Sequence, residues 1–122
     1  MITLVLLMAD LPAAAPIQRP TRVVSEAYRT AIKTYDKCLM SAAEDIAASE
    51  ANRLRRYGLY ARRCAVERST VIGAWMQSNP AQNAGADGAR ERVEQYGWAV
   101  RRAEDRADLW AGRFLDPMPP ME

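Results

Sequence analysis

The chain contains no histidine. That absence removes imidazole acid–base chemistry, histidine-activated nucleophiles and the usual zinc ligand sets. No glycine loop of the phosphate-cradling type and no nucleophile elbow occurs either, so the familiar phosphoryl- and acyl-transfer enzymes are excluded. No catalysis and no cofactor are expected. Aromatic residues make up only 7% of the chain, and alanine dominates an apolar fraction of 49%. Such a core suits close-packed helices better than a sheet, which needs Val, Ile, Tyr and Phe. Net charge is nearly absent too: 17 basic residues against 15 acidic ones leave +2, too little to mark a nucleic-acid or membrane partner. Nucleic acid is therefore disfavoured.

What is present fits one domain, since 122 residues supply one modest core. The apolar run Met1 to Met8 falls far below the ~20 residues that span a bilayer. Followed by Ala-Asp-Leu-Pro-Ala-Ala-Ala-Pro, it fits the hydrophobic region of a signal peptide cleaved after Ala13, although no Lys or Arg precedes it. The expected organisation is a signal peptide over 1–13, a linker over 14–24 marked by Pro16 and Pro20, a helical domain over 25–115 and a Pro-rich tail over 116–122. A periplasmic or secreted location follows. The alternative is a cytoplasmic protein whose apolar N-terminal segment docks on the helices.

Three apolar stripes recur at alternating steps of three and four. The first, capped by Ser25 ahead of Glu26, comprises Tyr28, Ala31 with Ile32, Tyr35, Cys38 with Leu39, Ala42 and Ile46. The second comprises Leu54, Tyr57, Ala61, Cys64 with Ala65, Val71 with Ile72, and Trp75, ending at Ser78-Asn79-Pro80. Pro80 to Gly88 is expected to be a loop. The third comprises Ala89, Val93, Tyr96, Val100, Ala103, Ala107, Trp110 and Phe114. No Gly or Pro separates the first stripe from the second. In one continuous helix Cys38 and Cys64 would lie ~39 Å apart, whereas a disulfide needs Cα atoms within about 7 Å. Their midpoint is residue 51, beside Ser49, which can cap a new helix with Glu50 in its first turn. An antiparallel hairpin turning near Ser49 to Asn52 and stapled by a Cys38–Cys64 disulfide explains these features together. Two unpaired buried thiols on a long coiled-coil helix are the rival. The expected fold is all-α: a three-helix antiparallel bundle of rods of about 24, 28 and 27 residues, the first two forming the stapled hairpin.

The run Tyr35-Asp36-Lys37-Cys38-Leu39 and the later Ala61-Arg62-Arg63-Cys64-Ala65-Val66-Glu67-Arg68 resemble small exported bacterial proteins that share a Y-D-x-C-L start and an A-x-x-C-x-x-E-R return. The resemblance covers roughly residues 28–72. It implies a paired-cysteine hairpin and no particular activity. Gln95, Trp98 and Arg102 are spaced as in the Q-x-x-W-x-x-x-R segment of the LprI-like lysozyme-inhibitor family, but no cysteine follows Arg102 and no Leu-Asn-x-x-Tyr precedes it.

Arg53 to Arg68 holds six arginines against Glu67 alone, a local charge of +5. Arg53, Arg55, Arg56, Arg62 and Arg63, interleaved with Tyr57 and Tyr60, form either a solvated helix face or a surface for an anionic polymer. Arg68 falls within the apolar stripe, so partial burial is expected, with Tyr35 offering a cation–π contact and a carboxylate of the third helix satisfying its donors. In the third helix the carboxylate pairs Glu104 with Asp108 and Glu91 with Glu94 share a turn, but the interleaved arginines are expected to neutralise them. Trp98 lies about 180° from Ala89 on a helical wheel and is expected to point away from the core. With Gln95, Arg101 and Arg102 around it, Trp98 has the composition of an interface hot spot. The expected role is that of an envelope protein acting by protein–protein interaction with an unknown protein partner. The alternative is an arginine-rich anion-binding or lysozyme-inhibitor-like module.

Overall fold

The computed structural model describes residues 22–115. The expected signal peptide, most of the linker and the 116–122 tail lie outside the described residues. Those described form four helices and no strand: α1 (Glu26–Ser49), α2 (Arg53–Arg63), α3 (Ala65–Ser78) and α4 (Gly85–Phe114).

α1 begins where its cap permits, with the Ser25 hydroxyl accepting from the Tyr28 N–H at 3.1 Å. Its expected stripe is its buried face, with Tyr28, Ala31, Tyr35, Leu39, Ala42 and Ile46 all removed from water. The chain then reverses over residues 50–52. Asn52, rather than Ser49, caps the next helix through its side-chain oxygen on the Arg55 N–H. Ser49 instead donates to the Asp45 carbonyl within α1. α2 and α3 return along α1, and Cys38 and Cys64 are joined with their Cα atoms 6.0 Å apart. Near the open end of the hairpin, Ser78 donates to Ser25 and Asn79 clasps the backbone of Val23 at both its N–H and its C=O.

The returning arm of the helical hairpin differs from the single second helix the stripe suggests. It is divided at Cys64, whose backbone (φ −114°, ψ 30°) leaves the helical region. The break re-phases the two halves. In α3, Val71, Ile72 and Trp75 are buried as expected, but in α2 the inward side carries Tyr60 and the half-buried Arg56. Leu54, Tyr57 and Ala61 lie outside, Leu54 being 85% exposed.

α4 starts four residues earlier than its stripe, at Gly85, a glycine with φ +65°. Its buried face is also not the expected one in the first half. Gly88, Glu91, Gln95 and Ala99 face inward, while Val93 and Tyr96 are 72% and 52% exposed. Two local facts explain this rotation. At Gly88 the Asn83 carbonyl approaches so closely that a Cβ would collide with it. Each buried polar group there also has partners, because Glu91 accepts from the Gln82 N–H at 2.7 Å and from the Asn83 amide, and Gln95 accepts from Trp75 Nε1 at 2.9 Å. A polar face satisfied in this way can be buried at little cost. The C-terminal half, from Ala103 to Phe114, keeps the expected phase.

Candidate functional site

Where α1, the α2–α3 junction and α4 meet, they leave an open cleft of about 470 Å³. Its floor is apolar and aromatic: Tyr35 and Leu39 from α1, Tyr57, Tyr60 and Ala61 from α2, and Cys64 of the disulfide. Arg68 comes from α3. α4 contributes Glu104, Ala107, Asp108 and Ala111. The helical spacing of 104 and 108 puts both carboxylates on one turn beside the small residues 107 and 111. Tyr60 is fixed by donating its hydroxyl hydrogen to the Ala107 carbonyl at 2.7 Å, which ties α2 to α4.

The tyrosines are held in their neutral form. Burial pushes the Tyr60 hydroxyl well above its ordinary value of 10.0, reinforced by Tyr35, Asp108 and Asp36. Burial also raises Tyr35, where Arg68 opposes the shift and Asp36, Asp108 and Glu104 add to it. Among the described residues, no side-chain hydrogen bond or ion pair engages Arg68, Glu104 or Asp108. This corrects two expectations. Arg68 is half-buried, as its position in the stripe implies, but it makes no cation–π contact with Tyr35, and no α4 carboxylate pairs with it. The α4 arginines do not neutralise Glu104 and Asp108 either. Arg106 is instead drawn to Asp36, which receives its Nε and Nη2 at 2.9 and 2.6 Å and Trp110 Nε1 at 3.2 Å. Asp36 is thus the main polar link between α1 and α4. In the sequence Asp36 stands out only as part of the Y-D-x-C-L run, and no spacing signal pairs it with Arg106.

Trp98 does not point away from the core. Its ring stacks on the fully buried Trp75 at 3.9 Å, and the guanidinium carbons of Arg22 and Arg102 each lie 5.2 Å from its centroid. Gln95 is buried beneath it, holding the Trp75 indole. Gln95 and Trp98 thus both engage Trp75, Arg102 lies over the Trp98 ring, and Arg101 remains on the surface. The counting from Ala89 misplaced this face because Ala89 is itself exposed.

The basic face is also divided by the fold. Arg56 turns inward and donates to the Glu50 carbonyl at 2.5 Å, the Ala47 carbonyl at 2.9 Å and the Leu115 carbonyl at 3.4 Å. One cation thereby caps the C-terminal ends of α1 and α4, where carbonyls lack intrahelical partners and the helix dipole favours positive charge. Arg63 pairs with Asp45 at 2.8 Å. Arg53, Arg55 and Arg62 are exposed, the last two beside Leu59 and Glu50.

One set of potential metal ligands, Cys38, Cys64 and Glu67, lies within 4.8 Å of one another. Their sulfurs are bonded together, which removes the thiolates that a soft metal needs. No described helix is long and apolar enough to cross a membrane. Comparison of the chain with protein-family models, with characterised proteins and with solved structures gave no match.

Proposed function

We propose that this chain is an exported, non-catalytic interaction module of the bacterial envelope, and that α2 carries its contact surface for a protein partner. The observation that supports this reading is the exposed side of α2. Counted at ~100° per residue, Tyr57, Ala61, Leu54, Gly58, Arg62, Arg55 and Leu59 follow one another around about 200° of the helix. Leu54, Tyr57 and Leu59 are 85%, 39% and 47% exposed. Apolar and aromatic side chains rimmed by arginine have the composition of a contact surface rather than of an idle one. The helix is also held in place, by the disulfide at its end, by the Arg56 cap and by the Tyr60 hydrogen bond. A pre-positioned helix loses little freedom on binding. Export is consistent with the disulfide, and the apolar run at 1–8 is read as its signal.

The experiment is quantitative affinity capture from envelope extract with wild-type protein, a Leu54→Asp/Tyr57→Ser variant and an Arg55→Gln/Arg62→Gln variant, beside a heparin column. Loss of one stoichiometric partner with the first variant, at unchanged helical content, supports the reading. Retention on heparin that only the arginine variant and salt abolish would replace it with an anion-binding module.

A further inference from the structure

The cleft described above shares Tyr57 and Ala61 with the α2 surface, but its charged residues Arg68, Glu104 and Asp108 lie outside that surface. We propose that the cleft binds a small zwitterion of the amino-acid type, a ligand with an ammonium group, a carboxylate and an apolar body. Its volume of about 470 Å³ is within the range of small-molecule sites. The lining carries both signs: Arg68 comes from α3, and Glu104 with Asp108 from α4. Opposite charges facing one cleft normally pair with each other. Here all three are without an ion-pair partner among the described residues, so each is open to a ligand group of the complementary sign.

A guanidinium is suited to bidentate pairing with a carboxylate, and a carboxylate pair to an ammonium. A purely anionic ligand would meet two carboxylates, and a purely cationic one would meet Arg68. Only a ligand carrying both charges satisfies both sets of groups. Leu39, Tyr57 and Tyr60 in the same lining offer apolar and aromatic surface for its body. The Tyr60 hydroxyl is already committed to Ala107, so its ring, not its polar end, is what the floor presents. Cys64 of the disulfide is itself part of the lining.

The test is titration of the oxidised full chain, followed by amide chemical shifts, with L-phenylalanine, with phenethylamine and with 3-phenylpropionate. The expected result is saturable binding of phenylalanine that shifts amides of α1, α2 and α4 around the cleft. Each singly charged analogue should bind at least ~10-fold more weakly. Arg68→Gln should lower phenylalanine affinity at least ~10-fold without weakening phenethylamine. Glu104→Gln/Asp108→Asn should do the converse with phenylpropionate. None of these three side chains is fully buried or bonded within the fold, and helical content monitors that each variant is folded. No saturation by phenylalanine up to about 20 mM, equal binding of all three compounds, or affinities insensitive to both variants would overturn the assignment.

Discussion

At Trp98 and Tyr96, two aromatic residues separated by one position have opposite fates. Trp98 is layered between Trp75 and two guanidinium groups, whereas Tyr96 is 52% exposed. Stacked aromatics and a cation over a ring each add about 0.5–1.5 kcal/mol to the area they bury. Trp98→Ala is therefore expected to cost about 2–3 kcal/mol of unfolding free energy, and Tyr96→Ala less than about 0.5 kcal/mol. Urea denaturation of the two variants checks this. Equal effects would mean that the Trp75–Trp98 stack contributes nothing to the fold. Neither residue's environment is legible from apolar spacing, because that spacing favours Val93 and Tyr96 over the polar Glu91 and Gln95 that the fold buries.

Among the elements, α2 is the least embedded, with Tyr60 its only buried residue. α1, α3 and α4 pack on one another directly, through Tyr28 on Trp75 with ring centroids at 5.0 Å and through the Asp36–Arg106 pair. The staple at Cys64 thus acts chiefly on α2. Closing the loop between residues 38 and 64 contributes about 3.5 kcal/mol in the chain-entropy model. Reduction is expected to lower the melting temperature while the helical spectrum persists at low temperature. In hydrogen exchange, protection should fall first over Leu54–Arg63, with α3 and α4 following only at global unfolding. Simultaneous loss of protection in all four helices would show that α2 is an integral part of the core. The hairpin turning near Ser49 to Asn52 is the reading preferred over two free thiols on one long helix, and the Cys38–Cys64 bond agrees with it. The break at Cys64 was not legible, since no Gly or Pro marks it.

For the molecule as a whole, the tyrosines set its response to alkali. Burial raises Tyr28, Tyr35 and Tyr60 above their ordinary 10.0. The unfolded chain therefore releases these protons at lower pH than the folded one, and stability that is fully present below about pH 10 falls as pH rises beyond it. Chemical denaturation at about pH 8, 10 and 11 should show this decline. Phenolate absorbance of the native protein should report part of the tyrosine population titrating late. A stability that is flat across that range would contradict the burial of these hydroxyls.

The sequence by itself determined the all-helical class and the inward face of α1, and it pointed to the meeting of Cys38 with Cys64 and to an Arg68 within the apolar stripe. Each of these follows from local periodicity or from the reach of a covalent bond, which act along the chain. Tertiary structure decided which way α2 and the first half of α4 face, and which arginines remain available. Those outcomes depend on partners distant in sequence: Arg56 on the carbonyls of two helix ends, Arg106 on Asp36, Gln95 on the Trp75 indole, and Gly88 on the Asn83 carbonyl. A buried polar group is stable only where such a partner stands, and no spacing rule places the partner.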